Sequence, residues 1–327
     1  FVIANRGSSS IVLFDSSGQF IRRVGGKGSG PGEFQLLART WSYRGDSIAA
    51  YDLALQRVSI FNMDGEFGRS FTSPLTMSRM AGTIPLSSCC SIAGSFADGS
   101  FVGGPPDFVE VGPGPDRYST GTVLRISPDG LYVDTIGRFK SKLFRHDPSA
   151  PSGVRGYEGS YYFRYVLAPE ALIGSNGLSD HLLVVKPGAS PDPDTLRLPL
   201  TRIPFSSDLR AQLVAATTAD YEANRRRYEG TLESNLPSLF LDTVPSFVNM
   251  TRGEDGTLWL ERWATNYNDR GYEAVYEVLT HEGIHRATIV LPRNAFLLWA
   301  RNDQVLLLER DDMDVEYLRL YDIRRRP

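Results

Sequence analysis

The stretch GDSIAAYDLALQRVSIFNMDGEFGRSF, residues 45–71, limits what this chain can fold into more than any other part of it. Residues 47–51 form an apolar run opened by the turn pair Gly45-Asp46. Residues 57–61 (RVSIF) alternate apolar and polar with a period of two. Asn62-Met63-Asp64-Gly65 is a four-residue turn with glycine where a positive φ is required, and 67–71 follow as a third strand. Short strands joined by such turns cannot bury both faces alone, so repetition of the unit along the chain is the signal to look for.

The unit recurs six times. With its strands lettered a to d, the first unit has b at 1–4, c at 10–14, the turn Asp15-Ser16-Ser17-Gly18 and d at 20–24, and it lacks a. The second has a near 38–43, with b, c and d as above. The third has a near 91–96, b at 100–103, c at 123–126, the turn Ser127-Pro128-Asp129-Gly130 and d at 131–136. The fourth is read as 161–167, 171–174, 181–185 and 195–200. The fifth is 246–251, 257–261, 274–279 and 285–291. The sixth is 295–300, 304–309 and 316–321, without d. Six units, the first without a and the last without d, read as a ring cut at its seam. The expected fold is an all-β six-bladed β-propeller in one domain, 1–327. A segment upstream of Phe1 is expected to supply both missing strands.

Residues 206–233 break the β pattern. Leu209, Leu213 and Ala216 recur at helical spacing, as do Tyr221, Arg225 and Tyr228. This predicts a small helical insertion between blades four and five, with Ser207 or Asp208 as its N-cap. The connections also sort by length. The a–b and c–d turns, which leave one face, are mostly tight. The longer segments 25–35, 72–90, 104–120, 138–160 and the helical insertion leave the other. Long loops on a rigid scaffold commonly carry function, so a binding site is expected on that face.

The run IVLFDSSGQFIRRVG, followed by Gly26-Lys27-Gly28-Ser29-Gly30-Pro31-Gly32-Glu33-Phe34, resembles the inter-blade signature of NHL-repeat propellers. The chain is similar to the bacterial six-bladed β-propeller proteins of the TolB-like superfamily. That resemblance implies the fold and an extracytoplasmic location. It implies no reaction, because propellers host many unrelated functions.

Candidate chemistry is sparse. His281-Glu282-Gly283-Ile284-His285 spells H-E-x-x-H, but the metal-binding form of that motif needs a helix. Here it lies between two β-rich runs, with Gly283 at the position of the other c–d turn glycines. The remaining histidines, His146 and His181, are too few for the three-histidine zinc of NHL-type amidating lyases. The loop 25–32 fails the P-loop pattern, since Gly28 follows Lys27. Lactonase-like propellers hold a divalent cation such as calcium at the channel mouth. Candidates for that on the long-loop face include Asp107, Glu110, Asp116 and Asp147, and no spacing singles them out. Asp52 and Arg57 flank a b–c connection, with Asn5 and Arg6 in a comparable place, and all four are expected to bond loop backbone. Asn249-Met250-Thr251 is a glycosylation sequon expected to be buried in a strand. Cys89 and Cys90 are adjacent and cannot staple distant segments.

The net charge of −3 invites no nucleic acid. Clustering of Arg138, Lys140, Lys142 and Arg145 on one face would reverse that expectation. The triplets Arg225-Arg226-Arg227 and Arg324-Arg325-Arg326 read as solvated surface. No apolar run reaches the length of a membrane span. The function expected is therefore a monomeric, non-enzymatic binding or scaffold module for a protein, peptide or glycan, with no catalytic, cofactor or metal residue assigned. The alternative is a metal-dependent lactonase- or esterase-type hydrolase with its site at the central channel mouth.

Overall fold

The computed structural model describes residues 1–75, 91–104, 116–147, 154–157, 162–188, 193–225, 232, 239–263, 273–292, 295–301, 303–311, 313 and 315–324. Cys89, Cys90, Asp107, Glu110, Arg226, Arg227, Arg325 and Arg326 lie outside them. The strands form six antiparallel sheets in chain order, a six-bladed β-propeller. Sheet one holds β1 (Val2–Asn5), β2 (Ser10–Phe14) and β3 (Phe20–Val24). Sheet two holds β4 (Leu37–Tyr43), β5 (Ser47–Asp52), β6 (Arg57–Asn62) and β7 (Phe67–Thr72). Sheet three holds β8 (Ser91–Ser95), β9 (Phe101–Gly104), β10 (Arg117–Ile126), β11 (Val133–His146) and β12 (Val154–Gly156). Sheet four holds β13 (Arg164–Leu167), β14 (Leu172–Ser175), β15 (His181–Val185) and β16 (Asp194–Arg197). A helix, α1 (Ser207–Ala223), separates it from sheet five, β17 (Asn249–Arg252), β18 (Leu258–Glu261), β19 (Val275–Leu279) and β20 (His285–Val290). Sheet six holds β21 (Ala295–Arg301), β22 (Gln304–Arg310) and β23 (Glu316–Asp322).

The second strand of a sheet is the most buried because it has neighbours on both edges and packed sheets on both faces. β5 is buried from Ile48 to Asp52, and β14 and β18 are buried throughout. The core is divided accordingly. Separate apolar clusters join sheets one and two (Ile11, Phe34, Phe61), two and three (Tyr51, Phe101, Ile126), three and four (Val102, Phe139, Leu172), four and five (Ile173, Leu182, Leu260) and five and six (Trp259, Val278, Leu307). Turn chemistry sets the outer hairpins. Gly65 sits at φ 80°, and a Cβ there would come within 2.2 Å of Val24 in the neighbouring sheet, so glycine serves both the turn and the packing of sheets one and two.

Boundaries depart from the sequence reading in three regions. β11 runs on to His146 and β12 adds a fifth strand, so much of the expected 138–160 loop is sheet. β10 likewise begins at Arg117, inside the expected 104–120 loop. Gly121 and Gly137 hide this extension, because glycine weakens the strand pattern, yet the two pair as Gly121↔Phe139 and Val123↔Gly137 in one long hairpin. The helix is capped by Ser206, whose Oγ accepts the Leu209 amide at 3.2 Å, one residue ahead of the expected Ser207 or Asp208. In sheet four the first strand starts at Arg164 rather than 161, and the last ends at Arg197 rather than 200.

Candidate functional site

Adjacent sheets are joined by d-to-a crossings, and what each junction does with its polar groups decides whether a site can exist there. At the junction of sheets one and two the crossing 25–36 is fixed by two side chains. Arg57 donates to the carbonyls of Ser29 (3.0 Å), Gly30 (2.9 Å) and Glu33 (2.6 Å). Asp52, fully buried, accepts the amides of Gln35 (2.6 Å), Leu36 (3.1 Å) and Leu55 (2.8 Å). Phe34 fills the space beneath. Asn5 accepts the Ser8 amide, and Arg6 donates to the Ala38 carbonyl at 3.1 Å. All four residues bond backbone, Arg6 that of strand β4 and the other three that of loops.

The junction of sheets three and four is built differently. Phe139 on β11 stacks on Phe163 at 4.4 Å with the rings 6° from parallel, and the Ser141 hydroxyl accepts the Phe163 amide at 2.6 Å. Beside this stack lies a groove of about 560 Å³. Its walls include Ile136, Phe139, Phe163, Leu183 and Val185. Its rim carries Arg138, Lys140 and His181, with Tyr118 and the polar connection Ser175–Ser179 at one end. Arg138 and Lys140 alternate with buried Phe139 on β11, so both exposed cations lie on the face opposite Phe139, at the edge of the groove. Among the described residues Arg138 has no hydrogen-bond or ion-pair partner, and no carboxylate lines the groove. Lys140 lies over the Tyr118 ring at 5.6 Å, and His181 Nδ1 is 3.0 Å from Asp180 outside the groove. The arrangement offers positive charge above an apolar floor.

The other candidates are occupied by one another. Arg145 forks onto Asp116 at 2.8 and 3.2 Å, and the Tyr157 hydroxyl donates to the same carboxylate at 2.5 Å. The Arg145 hydrogen bond holds the Asp116 carboxyl below its ordinary range. Burial, then the Asp116 contact, pushes the Tyr157 phenol up to about 12. Asp147 pairs with Arg155 at 2.8 Å. Lys142 lies over Phe144 and Tyr162. The four cations of β11 therefore do not act as one patch: Arg138 and Lys140 face the groove, and Arg145 is engaged elsewhere.

The H-E-x-x-H stretch lies on the turn between β19 and β20, not on a helix. Gly283 there has φ 83°. His285 turns into sheet five, with Nε2 2.8 Å from Glu277, while His281 contacts Glu282 in solvent. Glu277 is buried and also receives Thr288 (2.6 Å) and Arg262 (3.1 Å). Burial alone would raise its pKa, but those three donors outweigh it and hold the carboxyl below its ordinary value. Among the described residues no group of three His, Cys, Asp or Glu is placed to hold a metal. Asn249 of the sequon is exposed, not buried, because burial within β17 begins at Met250. Sequence reasoning missed the groove. Its one signal was the alternation Arg138, Phe139, Lys140, which was read as part of a loop.

The comparisons agree with the six sheets. A family described as a 6-bladed beta-propeller matches residues 1–87. No curated protein matches the chain. Among solved structures, a member of the duf4221 family from Bacteroides vulgatus is 14% identical, with a TM-score of 0.51 over 98% of this chain and 89% of that one. A protein of Bacteroides fragilis, provisionally named as exported, is 18% identical, with a TM-score of 0.48 over 94% of this chain and 76% of that one. The β-propeller domain of the Trilobed protease from Pyrococcus furiosus is 11% identical, with a TM-score of 0.41 over 98% and 77%. The likeness extends to the fold alone, a six-bladed β-propeller, and no described helix is long and apolar enough to cross a membrane.

Proposed function

We propose that this protein is a binding propeller that holds an acidic, partly apolar peptide segment in the groove between sheets three and four. The observation that carries the reading is the Arg138–Lys140 rim, which lies over an apolar floor with no carboxylate among its described lining residues. Arg57 and Arg145, by contrast, are engaged by loop carbonyls and by Asp116. Arg138, without a side-chain partner among the described residues and beside a cavity, is available to a ligand carboxylate, and a bidentate pair there would be partly shielded from water. The apolar walls favour a peptide over a glycan, because a sugar would leave its hydroxyls against Ile136, Leu183 and Val185 without partners. An extracytoplasmic setting accompanies the reading through the NHL-type resemblance. The alternative, a lactonase-type hydrolase, draws less support: Asp116 and Asp147, two of its possible ligands, are each held by an arginine.

Peptide display against the purified protein, followed by fluorescence anisotropy on the selected peptides, tests this. The selected peptides should combine Asp or Glu with aliphatic or aromatic residues. The Arg138→Glu/Lys140→Glu double variant should weaken them by about 100-fold, and added salt should weaken them further. Peptides without acidic residues, or binding indifferent to the double variant, would refute it. Tight metal retention with lactone hydrolysis would favour the hydrolase.

A further inference from the structure

The outer strands of the first two sheets reach across to the sheet that follows. Arg22 on β3 and Arg69 on β7 each stand four residues past a turn glycine, Gly18 and Gly65. Each donates to a carbonyl in the next sheet's turn, Arg22 to Asp64 at 2.7 Å and Arg69 to Pro128 at 2.8 Å. On β11 the residue four past Gly130 is Asp134, and a carboxylate cannot donate such a bond. The groove lies at the junction without that tie.

This groove follows a strand edge rather than a sheet face. Ile136, Gly137, Arg138, Phe139 and Lys140 are consecutive, and all five line it. Successive residues of a strand point to opposite faces, so one face alone would contribute only every second residue. On one side β11 is paired with β10. On the other, β12 covers only Phe144 to His146. The Tyr157 amide donates to the Leu143 carbonyl at 3.1 Å, and the Asn176 side-chain amide to the Ser141 carbonyl at 3.4 Å. The Thr135 amide donates to the Asp134 carboxylate at 2.7 Å. Between these, from Ile136 to Lys140, no described residue pairs with the outer edge. The chain's own return covers that edge beyond Ser141 and leaves open the part that borders the groove.

We propose that the peptide is held as an added β-strand along Ile136–Lys140, an inference that rests on the peptide reading of the groove and specifies its partner. Alternate residues of an edge strand turn their N–H and C=O groups outward, and an extended peptide satisfies them with its own backbone. Residues paired across two strands share a face. Acidic side chains at i and i+2 of the peptide therefore meet Arg138 and Lys140. The residue between them falls on the face of Phe139, towards Leu183 and Val185, which are themselves two apart on β15. The partner is an extended segment with the pattern acidic–apolar–acidic. A helical peptide of the same composition would spread those side chains over a period of 3.6 and leave the strand edge without partners.

Two fluorescein-labelled peptides of one composition test it by anisotropy, Glu-Val-Glu-Val-Glu-Val-Glu and Glu-Glu-Val-Val-Val-Glu-Glu. The alternating peptide should bind about tenfold more tightly or better. Backbone N-methylation of that peptide, one residue at a time, should weaken binding by about tenfold at every second residue and by less than about threefold at those between, because only alternate amides face the edge of β11. Equal affinity of the two peptides, each weakened by Arg138→Glu/Lys140→Glu, would overturn the added strand and leave the peptide reading standing. So would an N-methyl scan without a period of two. Binding of neither peptide would overturn both.

Discussion

The junction of sheets one and two and the junction of sheets three and four are made from the same repeat and end in opposite states. In the first, Asp52 and Arg57 are tied to five backbone groups of the crossing and to the Leu55 amide, and Phe34 closes the space under them. In the second, the hairpin of β10 and β11 runs past the body of the sheet. Phe139 and Phe163 supply the packing, and Arg138 is left beside a cavity with no described partner. The proposed binding groove lies where a blade does not use its charged side chains to hold its own loops.

That comparison can be broken from its rigid side first. Asp52→Ala leaves two amides of the crossing, Gln35 and Leu36, and the Leu55 amide without their acceptor and should cost about 3 kcal/mol, read as a lower urea midpoint. A loss below about 1 kcal/mol would mean that the crossing is not fixed by its carboxylate.

Sheet five offers an intermediate case, since Glu277 is buried while its partner His285 is half-exposed. Glu277→Gln should cost about 2 kcal/mol at pH 7 by removing the charge that faces Arg262. Because the folded pKa of Glu277 is depressed, its contribution is complete above the unfolded carboxyl value of about 4.3. It is lost as pH falls through the folded value. The gap between wild type and variant should therefore close on acidification below about pH 4. A gap that stays constant from pH 7 to pH 3 would contradict this account.

The smallest effect on stability belongs to the groove. Arg138→Gln should change the urea midpoint by an equivalent of less than about 0.5 kcal/mol, because no described partner is lost, while weakening the selected acidic peptides by about tenfold. A large destabilisation would place Arg138 with the structural arginines and remove the distinction between the two junctions.

The two junctions also differ in how they could be read. Asp52 and Arg57 were legible as loop-holding residues because they flank a short connection inside a regular unit, where the register fixes their direction. The groove was not legible. It depends on β11 continuing through Gly137 to His146, and on sheet four standing opposite. The carboxylates considered for a cation, Asp116 and Asp147, were visible as residues but not as members of ion pairs, because Arg145 and Arg155 reach them only across paired strands.

By itself the sequence determined the repeat, the turn positions and the helical insertion. Those follow from local rules: a period of two along a strand, and glycine where φ is positive, as at Gly18, Gly65, Gly130 and Gly283. Only the tertiary structure decided which cations are neutralised, which face of β11 lines a cavity, and how exposed β23 is left. These are matters of which sheet faces which, and contacts between sheets join residues tens of positions apart that no local pattern records.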